Sequence, residues 1–235
     1  NKQRVNDLLD TKIPSTNPQN EAFKELLIAA CNHLHTTFPF LFEKIDDYTE
    51  LLLPDDLTSD FSIVTDVRNG MPVDDCMNVE IIGWIYQFYI SEKKDEVFAS
   101  KAKVKKEDIP AATQLFTPRW IVEYMVQNTV GKLWLQNRPN SKLREHMPYF
   151  IESESLKAND YLKIGSPEEI RLADPASGSG HILVYAFDLF TKIYEEEGYN
   201  TTDIPKLIVE KNLHGFEIDE RAAQLSGLAL MMKAR

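Results

Sequence analysis

The stretch Leu172-Ala173-Asp174-Pro175-Ala176-Ser177-Gly178-Ser179-Gly180-His181-Ile182-Leu183 constrains this chain more than any other. It reads as the end of a buried strand, a Gly-rich turn and the start of an apolar helix. Two close glycines let the backbone approach a bound group where a Cβ would collide. The helix that opens after the turn offers unpaired N–H groups and the positive end of its dipole. Asp174 stands at the carboxyl edge of the strand, where α/β sheets place residues that touch ligands. The stretch is therefore a nucleotide-type cofactor site. It does not fit the dinucleotide fingerprint Gly-x-Gly-x-x-Gly, because Leu183 holds the third glycine's position and Asp-Pro precedes the turn.

Two further segments carry signals. In the first, Ala112 to Val126, Thr117 is placed to cap a helix and Pro118 to occupy its first position, where the missing N–H costs nothing. Ile121, Val122, Met125, Val126, Thr129 and Leu133 then form an apolar stripe suited to packing on a sheet. The second signal follows the turn. A helix is expected from His181 to Glu197 with Gly198 ending it, then a short helix over Ile204–Glu210, a strand over Leu213–Asp219 and a helix from Glu220 carrying Ala222, Leu225, Ala229 and Leu230. Glu217 would end the second strand, where an acidic side chain can accept hydrogen bonds from both hydroxyls of a ribose. Its distance from Asp174 exceeds the roughly 20 residues of a dinucleotide fold, and the added helix near Leu207 accounts for the excess. Asp219 reads as a helix N-cap.

These residues also carry a resemblance. Asp174-Pro175-Ala176-Ser177-Gly178-Ser179-Gly180 resembles motif I of the amino-methylating DNA methyltransferases, which use S-adenosylmethionine. Phe116-Thr117-Pro118 resembles their motif X, and Gly215-Phe216-Glu217-Ile218-Asp219 their motif II. The order, with motif X first, excludes the permuted class of the family. Longer stretches are similar to the adenine-specific methyltransferases of bacterial BREX-type phage-exclusion systems: 47–52, 80–84, 90–98 and 109–135. The resemblance implies cofactor contacts from Phe116, Thr117, Pro118, Asp174, Pro175, Ala176, Gly178, Ser179, Gly180 and Glu217, with S-adenosylmethionine as the cofactor. It implies methyl transfer to the N6 amine of adenine in double-stranded DNA, marking host DNA as self, as in restriction-modification. Other proteins of the phage-defence system would be further partners.

The fold class so implied is α/β: a mostly helical module over residues 1–108, then the first part of a Rossmann-like methyltransferase domain over 109–235. In the family an Asn-Pro-Pro-Tyr or -Phe motif binds the target amine. Here the sole Asn-Pro, Asn17-Pro18, continues as Gln19-Asn20 far upstream. No catalytic residue is assigned, and this chain by itself is expected to be inactive.

The rest of the chain is read as support. A net charge of −11 argues against this piece alone gripping a nucleic-acid backbone. Cys31 and Cys76 form no CxxC pair and are expected to be reduced thiols in a core, with no metal site. The absence of a leader and of an initiating Met suggests a piece of a longer protein. Its longest apolar run, Ile81 to Ile90, is too short for a bilayer, so a cytoplasmic protein without membrane contact is expected.

Asn20 is placed to cap a helix over Glu21–Thr36 with a stripe of Phe23, Leu26, Leu27 and Ala30, and Pro39 stops it. Short helical pieces are expected near Leu41–Ile45 and Tyr48–Leu53, a helix within Ser59–Val67, and a buried helix over Val79–Ile90. Leu26, Ile81, Ile85 and Phe88 are core candidates. Residues 91–98 and 101–108 read as a charged, solvated connection, with Lys101, Lys103, Lys105 and Lys106 as the alternative phosphate contacts. Residues 138–166 read as loop plus a helical piece, with turns at Asn159-Asp160 and Gly165-Ser166-Pro167, leading into a strand in which Ile170, Leu172 and Ala173 are buried. Two other functions stay open: a partner-binding module on a non-catalytic scaffold, and a methyltransferase for a substrate other than DNA.

Overall fold

A computed structural model describes residues 2–152 and 161–235, so the turn expected at Asn159-Asp160 lies outside the described residues. The chain forms two compact units, Asn1–Asn78 and Val79–Arg235.

The first unit contains α1 (Lys2–Leu9), α2 (Pro18–Thr37), α3 (Ile63–Gly70) and α4 (Val73–Cys76). Val5 and Leu8 of α1 pack with Ala22 of α2. Asn17, not Asn20, caps α2, because Pro18 fits the first helical position and leaves Asn17 one step outside. Asn20 is buried instead and pins a distant loop, donating to Asp55 O at 2.6 Å and accepting from Leu57 N at 2.8 Å. Leu26 and Ala30 of the expected stripe are exposed. Residues 41–45 are not helical, since Ile45 exchanges two hydrogen bonds with the Asn32 side chain. A 3₁₀ turn does form over Tyr48–Leu52, and Ser62 caps α3. Both cysteines are free, and Cys76 is exposed rather than in a core.

The second unit begins with α5 (Ile81–Tyr89) and α6 (Ser91–Ala99). Of the core candidates here, Ile81 is half-buried while Ile85 and Phe88 are exposed, Phe88 to 72%. The stretch expected as a connection is helical over α6: its Lys, Glu and Ala residues favour helix, and Ile90 and Val97 are buried. Irregular chain follows to a 3₁₀ turn at Lys106–Asp108, then α7 (Ile109–Thr113) and α8 (Arg119–Val126). A π turn, Gln127–Gly131, joins α8 to α9 (Lys132–Asn137). Of the expected stripe, Val122 and Val126 are buried and Ile121 and Leu133 half-buried, while Met125 and Thr129 are exposed; the buried line continues through Val130 and Trp134 instead.

After the 3₁₀ turn Pro167–Glu169 come β1 (Leu172–Asp174), α10 (His181–Glu196), α11 (Ile204–Leu207), a π turn (Ile208–Asn212), β2 (Leu213–Gly215) and α12 (Glu220–Lys233). The strands pair in parallel, Leu172 with Leu213 and Asp174 with Gly215. This is a helix-rich α/β arrangement with a small two-stranded sheet. Both strands are shorter than expected, and Ala173 is exposed. Pairing continues into the loops through Phe216 N to Asp174 O at 2.9 Å and Ser177 N to Phe216 O at 3.0 Å. Gly198 (φ +80) follows α10 as expected.

The core joins α8 and α9 to α10 through Val126, Trp134, Phe190 and Ile193. Asn212, fully buried, satisfies it on the polar side: its Nδ2 donates to Pro167 O and Ile170 O at 2.8 Å, and its Oδ1 accepts from the Tyr194 hydroxyl at 2.9 Å. Burial pushes the Tyr194 phenol up to about 12. Replacing Asn212 by Ala deprives the Tyr194 hydroxyl and the Ile170 carbonyl of their partner, while Pro167 O keeps the Ile170 amide. The Asn212→Ala chain is expected to lose about 2–4 kcal/mol of stability, measured as a lower urea midpoint with an unchanged slope.

Candidate cofactor site

Parallel pairing brings the carboxyl ends of β1 and β2 side by side, and the site is built there. From Asp174 the chain turns through Gly178 (φ +53) and Gly180 (φ +86) into α10. Both glycines occupy the left-handed region that side-chain-bearing residues resist. At Gly180 a Cβ would also lie 3.0 Å from Ser226 Cβ of α12. The turn is clamped from the segment just past the second strand. Glu217 Oε2 accepts from Gly178 N at 2.6 Å, and its Oε1 accepts from Ile218 N and Asp219 N at 2.9 Å each.

Asp174 is treated differently. It is only 6% exposed; Oδ1 accepts from Ala176 N at 3.1 Å, and Oδ2 is buried with no partner. Burial raises its pKa and the nearby Glu217 charge adds to the rise, against the opposing effect of the Ala176 amide. Ser179 Oγ and His181 Nε2 are likewise buried without a partner. Burial lowers the His181 pKa, more than the Glu80 charge raises it. The ring stacks on Phe116 (centroids 5.3 Å apart, planes at 22°) and meets the edge of Trp84 at 5.8 Å.

The back wall is α5. Gly83 sits against the turn so closely that a Cβ there would approach Ser179 Oγ and lie 2.7 Å from His181 Nε2. One turn along, the Tyr86 hydroxyl donates to Asp219 Oδ2 at 2.5 Å, and Gln114 Nε2 donates to the same oxygen at 3.2 Å. Burial and the Asp219 bond hold the Tyr86 phenol well above its ordinary range. Asp219 also caps α12 through Oδ1, accepting from Arg221 N, as its position in the sequence suggests. Gln87 Oε1 accepts from Phe116 N at 3.1 Å. These contacts place α5 against the glycine turn, within the compact unit that starts at Val79.

Of the residues singled out in the sequence, Pro175, Ala176, Gly178 and Glu217 line one cavity of about 160 Å³ together with Gln114, Leu115 and Ile218. Phe116 is buried behind Gly178, whose Cβ would stand 3.4 Å from its ring, and Ser179 and Gly180 are buried in the turn. Thr117 and Pro118 lie outside the cavity lining. Pro118, not Thr117, holds the N-cap position of α8, its ψ of 142° keeping it outside the helix, and no side chain caps that end. A second cavity, about 410 Å³, runs along the α8 side of β1 past Met125, Leu172 and Ile182 to Asp174 and Pro175.

The residues fit a nucleoside cofactor in part. Glu217 has taken three donors and keeps acceptor capacity for another, since a carboxylate offers about four lone-pair sites. Asp174 Oδ2 is a free acceptor for a hydroxyl or ammonium group. Leu115 and Ile218, 71% and 67% exposed, give the cavity apolar lips. Its volume is below the roughly 300–1,000 Å³ of ligand pockets, so it holds one moiety of such a ligand. The sequence missed Gln114, Tyr86, His181 and Gly83. Only Gly83, an isolated glycine inside an aromatic helix, gave a local signal of close packing.

No protein-family model matches the chain. It is 51% identical over 235 residues to the adenine-specific methyltransferase BrxX of Escherichia coli O9:H4 (strain HS), an alignment covering 97% of this chain and 19% of that protein. It is 39% identical over 246 residues to the adenine-specific methyltransferase PglX of Lacticaseibacillus casei (strain Zhang), covering 98% and 20%. A putative type II restriction enzyme and methyltransferase of Methanocaldococcus jannaschii is 24% identical over 176 residues, 66% of this chain and 14% of that protein. The chain spans about a fifth of the length of the first two relatives. Over nearly all of its length, then, this chain is homologous to a part of the adenine-specific methyltransferases BrxX and PglX.

Proposed function

We propose that this chain provides the S-adenosylmethionine-holding part of a longer DNA adenine N6-methyltransferase, and that residues 109–235 open its Rossmann-like domain. The observation that carries the reading is the Glu217 carboxylate bonded to the Gly178 amide beside the bare oxygen of Asp174, at the adjoining carboxyl ends of parallel strands. The adenine-specific reaction comes from the names of the relatives. The cofactor, when bound, supplies the methyl group. Glu217 would accept from ribose hydroxyls, Leu115 and Ile218 would flank the base, and Asp174 Oδ2 would accept from a polar hydrogen of the ligand. Phe116 and His181 keep water from the back of the turn, and Thr117-Pro118 would lie towards the amino-acid end.

Within this reading residues 1–108 are a helical extension, and α5 and α6 are the piece of it that backs the cofactor turn. The target adenine must leave the duplex stack to be methylated, and the groups that hold its amine lie outside this chain. Duplex DNA and other phage-defence proteins are the partners so proposed, in a cytoplasmic setting. Among the described residues no helix is long and apolar enough to cross a membrane.

Thermal unfolding with S-adenosylmethionine, and separately with its demethylated product, tests the site. A ligand at a hundred times its Kd adds about 2.7 kcal/mol of stability when it binds only the folded state. Glu217→Gln removes a charge-assisted acceptor worth about 1.5–3 kcal/mol, so at least a tenfold weaker Kd is expected. No shift at millimolar ligand would overturn the cofactor assignment.

Asp174 gives a second test with opposite signs for stability and binding. Its pKa is raised in the fold, so the native chain holds this proton more tightly than the unfolded chain does. Its contribution to stability is then fully present below the ordinary carboxylate pKa and is lost as pH rises through the elevated native value. At pH 7 the charge is a burden, and Asp174→Asn is expected to melt higher than the parent while losing the cofactor shift. The gain should vanish below about pH 4, where the parent's Asp174 is protonated in both states. A variant that melts lower at pH 7 and still binds would count against both the burial argument and the site.

A further inference from the structure

We infer that Lys101, Lys103, Lys105 and Lys106 clamp the phosphate backbone of duplex DNA beside the cofactor cavity; this rests on the methyltransferase reading and names the groups that hold its substrate. Four of six consecutive residues are lysine in a chain of net charge −11, and all four are exposed. Among the described residues none of the four makes an ion pair. Asp108 and Glu96 both face Lys93, at 3.4 and 3.8 Å, and Glu107, which follows Lys106 in the chain, forms no ion pair with it among the described residues. Four uncompensated ammonium groups on one short segment repel one another, and they become favourable when a polyanion neutralises them and releases its counterions.

The segment is also held in place. It leaves α6 with Lys101 in a left-handed conformation (φ +51) and re-enters through the 3₁₀ turn into α7. Lys93 ties α6 to Asp108, and Lys94 Nζ donates to Gln114 O at 2.9 Å. Gln114 itself lines the cofactor cavity and bonds Asp219. From Lys106 to Gln114 the chain is mostly helical, and at 1.5 Å per residue it rises about 12 Å. That is about the width of a B-DNA major groove. A base extruded towards the cofactor and the phosphates flanking it therefore lie within reach of the two features together.

The test uses the full-length protein that carries this chain. Binding to a fluorescent 30-base-pair duplex is measured across a salt series for the parent, for Lys103→Gln with Lys105→Gln, and for all four lysines changed to Gln. Each phosphate contact contributes about 0.9 to the slope of log K against log salt. The double variant is expected to lose about 2 from the slope and the quadruple about 3–4, with duplex affinity falling at least tenfold. The S-adenosylmethionine melting shift should stay at the parent value, because none of the four lines the cavity. Unchanged slope and affinity in the quadruple variant, with the cofactor shift intact, would overturn the clamp, as would a parent that binds no duplex. Polyglutamate competing as well as duplex would also overturn it, pointing to an acidic protein partner. Lysine-dependent duplex binding with no cofactor shift in the parent would retain the clamp and sink the cofactor assignment instead.

Discussion

The hydrogen bond from Gly178 N to Glu217 is the contact on which the second unit's functional end depends. Three residue pairs of parallel strand form too short a ladder to fix the turn that follows β1. Glu217 does so from two residues past β2, with a charge-assisted bond of 2.6 Å to a glycine in the left-handed region. Its other oxygen gathers the Ile218 and Asp219 amides, which sets where α12 begins. Asp219, so placed, caps α12 and receives Tyr86 and Gln114, which draws α5 and the segment before Phe116 onto the turn. One side chain thus orders two strand ends, a helix start and the wall behind them.

Asp174 and Glu217 show how surroundings divide two carboxylates at one site between different tasks. Glu217 takes three backbone donors and keeps room for one more. Asp174 has one donor and one bare oxygen in a buried position, and its proton is correspondingly held more tightly. A fold selected for stability alone would place a donor at Oδ2 or replace the carboxylate. Keeping it bare costs the empty chain stability and leaves a ligand the interaction to make, the usual relation between a strained site and its function.

What the sequence made legible is what neighbouring residues decide among themselves. Gly178 and Gly180 marked the turn between β1 and α10, Asp219 capped α12, and α10 ended beside Gly198. The misjudged parts hang on partners far away in the chain. Asn17 and Asn20 are both able caps, and the bonds to Asp55 and Leu57 that occupy Asn20 have no local trace. The aromatic run from Ile81 looks like a core helix, yet Phe88 faces solvent, because α5 spends its closest contact on Gly83 and its polar ones on Asp219 and Phe116. α6 buries only Val97, too little apolar periodicity to stand out from a solvated connection.

Charge links the cofactor cavity to the proposed substrate path. Glu217 lines the smaller cavity and Asp174 the adjoining larger one, so this edge of the sheet carries two carboxylates, which would suit a positively charged sulfonium cofactor over its neutral demethylated product. The same negative character, extended over a chain of net charge −11, would repel a nucleic acid from most directions. A polyanionic substrate then needs a local positive entry, and the lysines from 101 to 106 are where the chain concentrates it. Had they stood at the cavity itself, they would have paired with Asp174 and Glu217 and cancelled both fields. Lys106 is set off from the cavity residue Gln114 by about 12 Å of mostly helical chain, more than the Debye length of about 8 Å at physiological salt, which lets each set of charges keep its own sign for its own ligand.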